Sequence, residues 1–290
     1  MIWNSPWFGI GLVYALLGLS LFILQREKVR QKFSAEARRK SLHVVMGLAT
    51  LTFPWLFDHW WPVALLAGTT LIMLWLMRYS QALRMGIGSA LHDVKRVHSH
   101  GELYFPLGVL ILYLLGNHNF LLYTIPLLTL TLADAAAALV GQRYGRKFYT
   151  LLRDRRSWEG SCAFFCVTLF CTQAVLLCTN GLSGVQTLAV SLAFALSMAL
   201  VEALSWSGLD NLFLPVSGFF VLTFLLLTPL PAALCLVTGS IFFILWQTGY
   251  VNIPKPNFNH NKEFTYVRSN QSYQQYPATT ILHPHLWSGP

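Results

Sequence analysis

Long apolar runs separated by short polar stretches divide the chain from residue 7 to residue 248. A helix needs ~20 apolar residues to cross a bilayer, and most of these runs approach that length. The pattern predicts nine spans, at about 7–24, 42–57, 60–77, 103–115, 120–140, 161–179, 187–204, 212–227 and 232–248. The fourth is short enough to be tilted or partly re-entrant. Beyond residue 251 the apolar periods stop, and Asn, Gln, Tyr, Pro and Ser take over. Residues 1–250 therefore read as a single integral membrane domain, and 251–290 as a polar, disordered or loosely attached tail. The expected fold is all-α, a polytopic bundle of transmembrane helices.

Polar residues orient the bundle. Seven Lys/Arg lie in 25–41, four in 78–102, six in 141–160 and three in the tail, which accounts for all twenty. With nine spans these four segments share one side. The opposite loops hold Asp58, His59 and His118 but no Lys or Arg. Cations favour the cytoplasmic side, so the N-terminus is expected outside and the C-terminus inside. The same bias explains the net charge of +9, and no nucleic-acid partner is expected. Charged residues make up only 11% of the chain, about half the share usual in soluble domains, and mean hydropathy is +0.52. The opening run lacks a basic leader and reads as a first span rather than a cleaved signal. The five cysteines lie in apolar runs, where Cys acts as a small hydrophobe; Cys162 and Cys166 have no His or carboxylate cluster beside them.

Carboxylates are few enough to place singly. Glu102, Asp134, Glu159, Glu202 and Asp210 each fall at or just inside the cytoplasmic end of a span. An ionisable group there costs several kcal/mol unless paired or wetted, which makes it a functional candidate. Asp134 stands in TLADAAAALVGQRYGRKFY. Ala138, Gly141 and Gly145 follow at i+4, i+7 and i+11, on its face if the helix persists, with the first glycine ~10 Å away along the axis. Arg143, Arg146, Lys147, Arg153, Arg155 and Arg156 come next. A deep acid under a bare, basic mouth suits a metal-bound polyphosphate: the acid takes Mg²⁺ and the cations take phosphate oxygens. Helix packing through small residues explains the alanines and glycines equally well, but not the acid.

Three further stretches bring polar groups to the same membrane face. In EARRKSLHVVMG, Glu36, Lys40, His43 and Gly47 share a face beside Arg39; the alternative is a basic anchor with a surface Glu36–Lys40 pair. In RRSWEGS, Glu159 and Gly160 beside cations make either a phosphate nest or a helix start capped by Ser157. In VEALSWSGLDNLFLP, Asp210 and Asn211 read first as a helix cap, whereas Glu202 lies inside a span. Neither a Walker A spacing nor a kinase HRD or DFG set is present, which excludes the soluble kinase folds.

The ordered motifs EARRKSLH, GELYFPLGV, LADAAAALVGQRYG, RSWEGS and GLDNLFLP, from about residue 36 to 215, resemble the polyprenol kinase family. That family includes phytol kinase, dolichol kinase and CTP-dependent diacylglycerol kinase, and is related to the phosphatidate cytidylyltransferases. The resemblance implies that Asp134, Gly141, Gly145, Ser157, Glu159 and Gly160 serve the nucleotide, with Arg39, Lys40 and His43 at the family's Arg-Lys and His positions. Arg156 stands where the family usually has Lys, which keeps the charge but alters the contact with phosphate. The expected activity is phosphorylation of a membrane lipid alcohol by CTP with Mg²⁺ at the cytoplasmic interface. Asp134, with Glu159, would hold the metal. Arg39, Lys40, Arg143, Lys147 and Arg156 would neutralise phosphate, and Glu102 or Glu202 would position or deprotonate the hydroxyl. A phosphatidate cytidylyltransferase needs the same metal and nucleotide site and is the nearest alternative; a proton-coupled transporter is a more distant one.

Overall fold

Helix starts and stops follow the local chemistry of the chain. In the computed structural model, residues 5–79, 101–116, 119–151, 154–179 and 181–228 are described. Helix α1 (Pro6–Gln25) begins with a proline in its first turn, where the missing N–H is not needed. After the short α2 (Glu27–Lys32), α3 (Ala35–Thr50) starts at Ser34, whose hydroxyl accepts from the Ala37 amide at 3.1 Å. Helices α4 (Phe53–Leu56), α5 (Trp60–Tyr79) and α6 (Gly101–Gly116) follow. Next, α7 (Phe120–Leu128) runs through a π turn (Thr129–Ala133) directly into α8 (Asp134–Tyr144). Strands β1 (Phe148–Thr150) and β2 (Arg155–Ser157) lead to α9 (Trp158–Leu177), α10 (Gly184–Leu204) and α11 (Asp210–Leu227).

Among the described residues, five segments are long and apolar enough to cross a membrane: α1, the continuous Phe120–Tyr144 segment, α9, α10 and α11. Trp60–Leu76 within α5, and α6, are apolar but shorter. The chain divides into units Met1–Ile253 and Pro254–Pro290. The ninth span expected at 232–248, the tail at 251–290 and His118 lie outside the described residues.

The described residues are mostly helical, as expected, with two departures from the expected pattern. Strands β1 and β2 pair antiparallel, Phe148 opposite Ser157 and Thr150 opposite Arg155. Tyr149 faces inward from that hairpin, 5% exposed, and its hydroxyl bonds the Ser161 hydroxyl at 2.5 Å. The second span is not one helix. Pro54 has no amide to donate to the Thr50 carbonyl, and its ring crowds that carbonyl, so α3 stops and α4 starts afresh.

The break is repaired from α7 and α6. The Tyr123 hydroxyl donates to the Thr50 carbonyl at 2.7 Å, and the Tyr113 hydroxyl donates to the Phe57 carbonyl at 2.7 Å. Both tyrosines are essentially fully buried, with their rings edge to face at 6.1 Å. They join Phe164, Phe194 and Met198 in the core. Small residues let helices close elsewhere. A Cβ at Gly47 on α3 would run into Thr131 of the π turn, reaching its Cβ at 2.8 Å, and one at Gly218 on α11 would meet Pro126 of α7 at 2.9 Å.

Removing the Tyr123 hydroxyl strands the Thr50 carbonyl in the interior. Tyr123→Phe should therefore lower stability by about 1–3 kcal/mol, read as a fall in the thermal midpoint of the detergent-solubilised protein. An unchanged midpoint would show that the carbonyl finds another donor.

Candidate functional site

Residues from α3 and α8 make the centre of the site. The π turn accommodates an extra residue within one helical turn just before Asp134, and π turns of this kind recur at functional sites. Lys40, on α3, donates from Nζ to Asp134 Oδ2 at 2.5 Å. Lys40 is 5% exposed and Asp134 4%. His43, one turn beyond Lys40, places Nε2 3.0 Å from the Leu130 carbonyl and 3.7 Å from Asp134 Oδ2. A carbonyl only accepts, so Nε2 carries the hydrogen. The His43 ring rests against Phe105 of α6 with centroids 4.6 Å apart. The surface Glu36–Lys40 pair expected from spacing does not form. Glu36 accepts instead from Arg39, at 2.7 Å and 3.2 Å, and Lys40 turns inward.

A second ionic group stands beside the first. Arg156 reaches from β2 to Glu202 on α10, to the Ser205 carbonyl at 3.0 Å and to Asp210 on α11 at 3.5 Å. Burial disfavours its charge, but Glu202 and Asp210 outweigh burial and hold the guanidinium pKa above its ordinary value. Asp154, in the same hairpin, accepts from the Ser207 amide at 2.9 Å. The hairpin thus fastens the α10–α11 turn, where Ser207 and Gly208 have φ of 52° and 84°. The capping reading of Asp210 and Asn211 is corrected. Leu209 is the cap position, without a side-chain bond. Asp210 engages Arg156, and Asn211 Nδ2 donates to the Gly101 carbonyl at 2.9 Å, tying α11 to the start of α6.

The two groups form one electrostatic unit. The Asp134 charge acts on Arg39, Arg156, Glu202 and Asp210, and the Glu102 charge acts on Arg39. Five helices, the π turn and the hairpin thus contribute to one cluster: α3, α6, α8, α10 and α11 with charged or amide groups, and the π turn with the Leu130 carbonyl.

The glycines serve packing. A Cβ at Gly141 would stand 2.9 Å from the Ser157 hydroxyl, and one at Gly160 would stand 2.8 Å from the Ala137 carbonyl and 3.3 Å from the Gly141 Cα. Helix α8 ends at Tyr144, so Gly145 leaves the face it was expected to share and packs on Ser157. Of the two readings of Ser157, the cap is realised: its hydroxyl accepts from the Gly160 amide at 3.0 Å. Glu159 Oε1 accepts from the Lys147 amide at 3.3 Å, and Oε2 has no hydrogen-bond partner. Arg143 and Lys147 are exposed.

Beside the ionic cluster lies a cavity of about 140 Å³. Apolar side chains of α1, α3, α5 and α6 wall it, including Leu17, Met46, Leu66 and Phe105. One end bears Arg39, His43, Glu102 and Asn211. Sequence reading found these polar residues but not the cavity, whose walls are ordinary span residues. It also missed the Arg156–Glu202 pairing, because the partners are 46 positions apart and nothing local links them.

Glu202 is 2% exposed. Arg156→Ala leaves that carboxylate buried without its cation and should destabilise the fold by about 3–5 kcal/mol. Arg156→Lys, which keeps the charge but not the three-way contact, should lose less. Unfolding of both variants in detergent checks the order; equal midpoints for Arg156→Ala and the parent would remove the clamp.

Comparison with known proteins adds an independent line. No family model and no solved structure matches the chain. A phytol kinase from Synechocystis sp. is 31% identical over 227 residues, covering 75% of this chain and 94% of that relative. The alignment therefore takes in nearly the whole of that relative, too long a match to come from shared apolar composition. With its helical architecture and its buried ionic cluster, the chain belongs to the polyprenol kinase family that includes phytol kinase, and it is a transferase, a kinase acting on a lipid.

Proposed function

We propose that the protein phosphorylates an isoprenoid alcohol, phytol or farnesol in type, with CTP as donor and Mg²⁺ as cofactor. The carrying observation is the junction of two environments. An apolar cavity ends on Arg39, His43 and Glu102, and these adjoin the buried Lys40–Asp134 pair. A lipid tail fits the first environment and a triphosphate the second. The Synechocystis relative, named a phytol kinase, supports the choice of acceptor. The same match gives no support to the cytidylyltransferase or transporter readings. With nine spans, a single catalytic domain over 1–250 and the N-terminus outside, this end of the bundle faces the cytoplasm, where CTP is made available.

The residues present fit a magnesium nucleotide. Magnesium is held by one or two carboxylates together with substrate phosphates rather than by a full protein cage. Among the described residues no group of three His, Cys, Asp or Glu side chains forms such a cage, whereas Asp134 and Glu202 are both deep carboxylates, and Glu202 Oε2 is buried without a hydrogen-bond partner. Asp134 is the ligand we assign. Glu159, the second ligand expected from sequence, is engaged by the Lys147 amide and would serve from the hairpin side. Bound magnesium would supply charge neutralisation at the phosphates.

The side chains then divide the work. Lys40 holds Asp134 in the resting protein and turns to a phosphate oxygen when one arrives, so neither charge is left alone in the interior. Arg39, Arg143 and Lys147 neutralise phosphate from the open side. Glu102 lines the cavity and positions the alcohol hydroxyl; Glu202, locked to Arg156, holds the α10–α11 turn instead. Phosphoryl transfer is largely positioning and charge stabilisation, and this set provides both.

Labelled CTP tests the reading. Transfer of the γ-phosphate to phytol with release of CDP is expected; transfer of the α-phosphate with release of pyrophosphate would replace the kinase by the cytidylyltransferase. Asp134→Asn should lower turnover by about 10²–10³-fold. Because this variant also leaves Lys40 unpaired, the double substitution Lys40→Met with Asp134→Leu provides the control. It removes both charges, should fold with parental stability and should be inactive. Turnover at parental rate in either variant removes the pair from the chemistry.

A further inference from the structure

The cavity has a measurable depth. On α3 its lining runs from Arg39 to Thr50, and on α5 from Leu74 to Val63. Each interval is eleven residues, or about 16 Å of helix. The two walls therefore give the same length independently. The far end is closed by Thr50, Phe53 and Val63, which are 4%, 3% and 1% exposed. This floor exists because the chain breaks between α3 and α4: Phe53 begins the new helix and turns beneath the cavity, its ring edge to face with Phe57 at 5.3 Å. Tyr123 and Tyr113 anchor the carbonyls on either side of that break. The side between α1 and α5 is open: Tyr14, which lines the cavity there, is 37% exposed, and its hydroxyl hydrogen-bonds the Thr69 hydroxyl across the opening.

An extended chain advances about 1.2 Å per single bond, so 16 Å accommodates roughly 13 bonds. In length that is the farnesyl-to-phytyl range and far short of a dolichyl chain; at about 140 Å³ the cavity encloses only part of the bulk of such a tail, the remainder lying along its open side. We propose that the floor formed by Thr50, Phe53 and Val63 is a ruler that sets the longest isoprenoid tail the enzyme accepts. The inference rests on the reading that the cavity holds the acceptor lipid, with the hydroxyl at Glu102 and the tail running toward Phe53. The floor residues touch only the distal carbons, so they govern which alcohol is used and not how phosphate is transferred.

The test measures kcat/KM of the full-length detergent-solubilised protein with geraniol, farnesol, phytol and a dolichol-length polyprenol, at fixed CTP. The parent should use farnesol and phytol and discriminate at least tenfold against the long polyprenol. Phe53→Ala, or the milder Phe53→Leu if the first does not fold, should raise the ratio of the longer to the shorter alcohols severalfold. Ala67→Phe, or Thr70→Phe, fills the cavity midway and should shift preference about tenfold toward geraniol. The KM for CTP should stay at the parental value in all four. A long polyprenol used as well as farnesol by the parent overturns the ruler while leaving the kinase standing. An unchanged length profile in active floor and mid-cavity variants does the same. Turnover of none of the alcohols overturns the kinase reading, and the ruler with it.

Discussion

A lysine and an aspartate share a proton-bridged contact in the interior of an apolar bundle, and the neighbouring structure is arranged to keep them together. An isolated charge in such surroundings is too costly to persist, so each member of the pair depends on the other. Lys40 arrives on α3, which can approach only because Gly47 carries no side chain against the π turn. Asp134 arrives at the end of that π turn. His43 spans the gap between Asp134 and the Leu130 carbonyl. Close helix approach, an irregular helical turn and a bridging imidazole are three separate structural features, and all three bear on the same few ångströms.

The second ionic group has a different character. Arg156 is held by two carboxylates and a carbonyl at once, and it joins a hairpin to the turn between α10 and α11. It is a tie between elements. Asn211 extends the tie to α6 through the Gly101 carbonyl. The wall of the apolar cavity and the frame of the ionic cluster are therefore mechanically continuous, and under the proposed function a tail seated in one would be registered against charges in the other. A membrane kinase needs that continuity, because its two substrates come from different solvents.

Much of this was legible in the sequence, for reasons that also explain what was not. Apolar runs reveal spans because the bilayer fixes their length, and carboxylates in such runs stand out because they are expensive there; Asp134 and Glu202 were visible on that ground. Helix starts were visible where a local cap exists, as at Ser34 and Ser157. Partners were not visible. Lys40 and Asp134 are 94 positions apart, and Arg156 and Glu202 are 46 apart, so their pairing is a product of packing alone. The α3–α4 break had a signal in Pro54 that the surrounding hydrophobicity masked, and the short hairpin was hidden by its cations. The glycines of α8 and α9 fitted two readings from spacing, and only the helix–helix contact decided between them.

The π turn before Asp134 has a consequence for how this chain tolerates change in length. A π turn holds one residue more than the α-helical turn it replaces. Deleting one residue from 129–133 would restore regular winding within that turn and leave Asp134 on nearly the same face, whereas a further insertion there has no slack to absorb it and would turn the carboxylate about 100° off the lysine. The charged centre therefore tolerates a shorter chain at this point and not a longer one, although either change would leave the span apolar and long enough to insert.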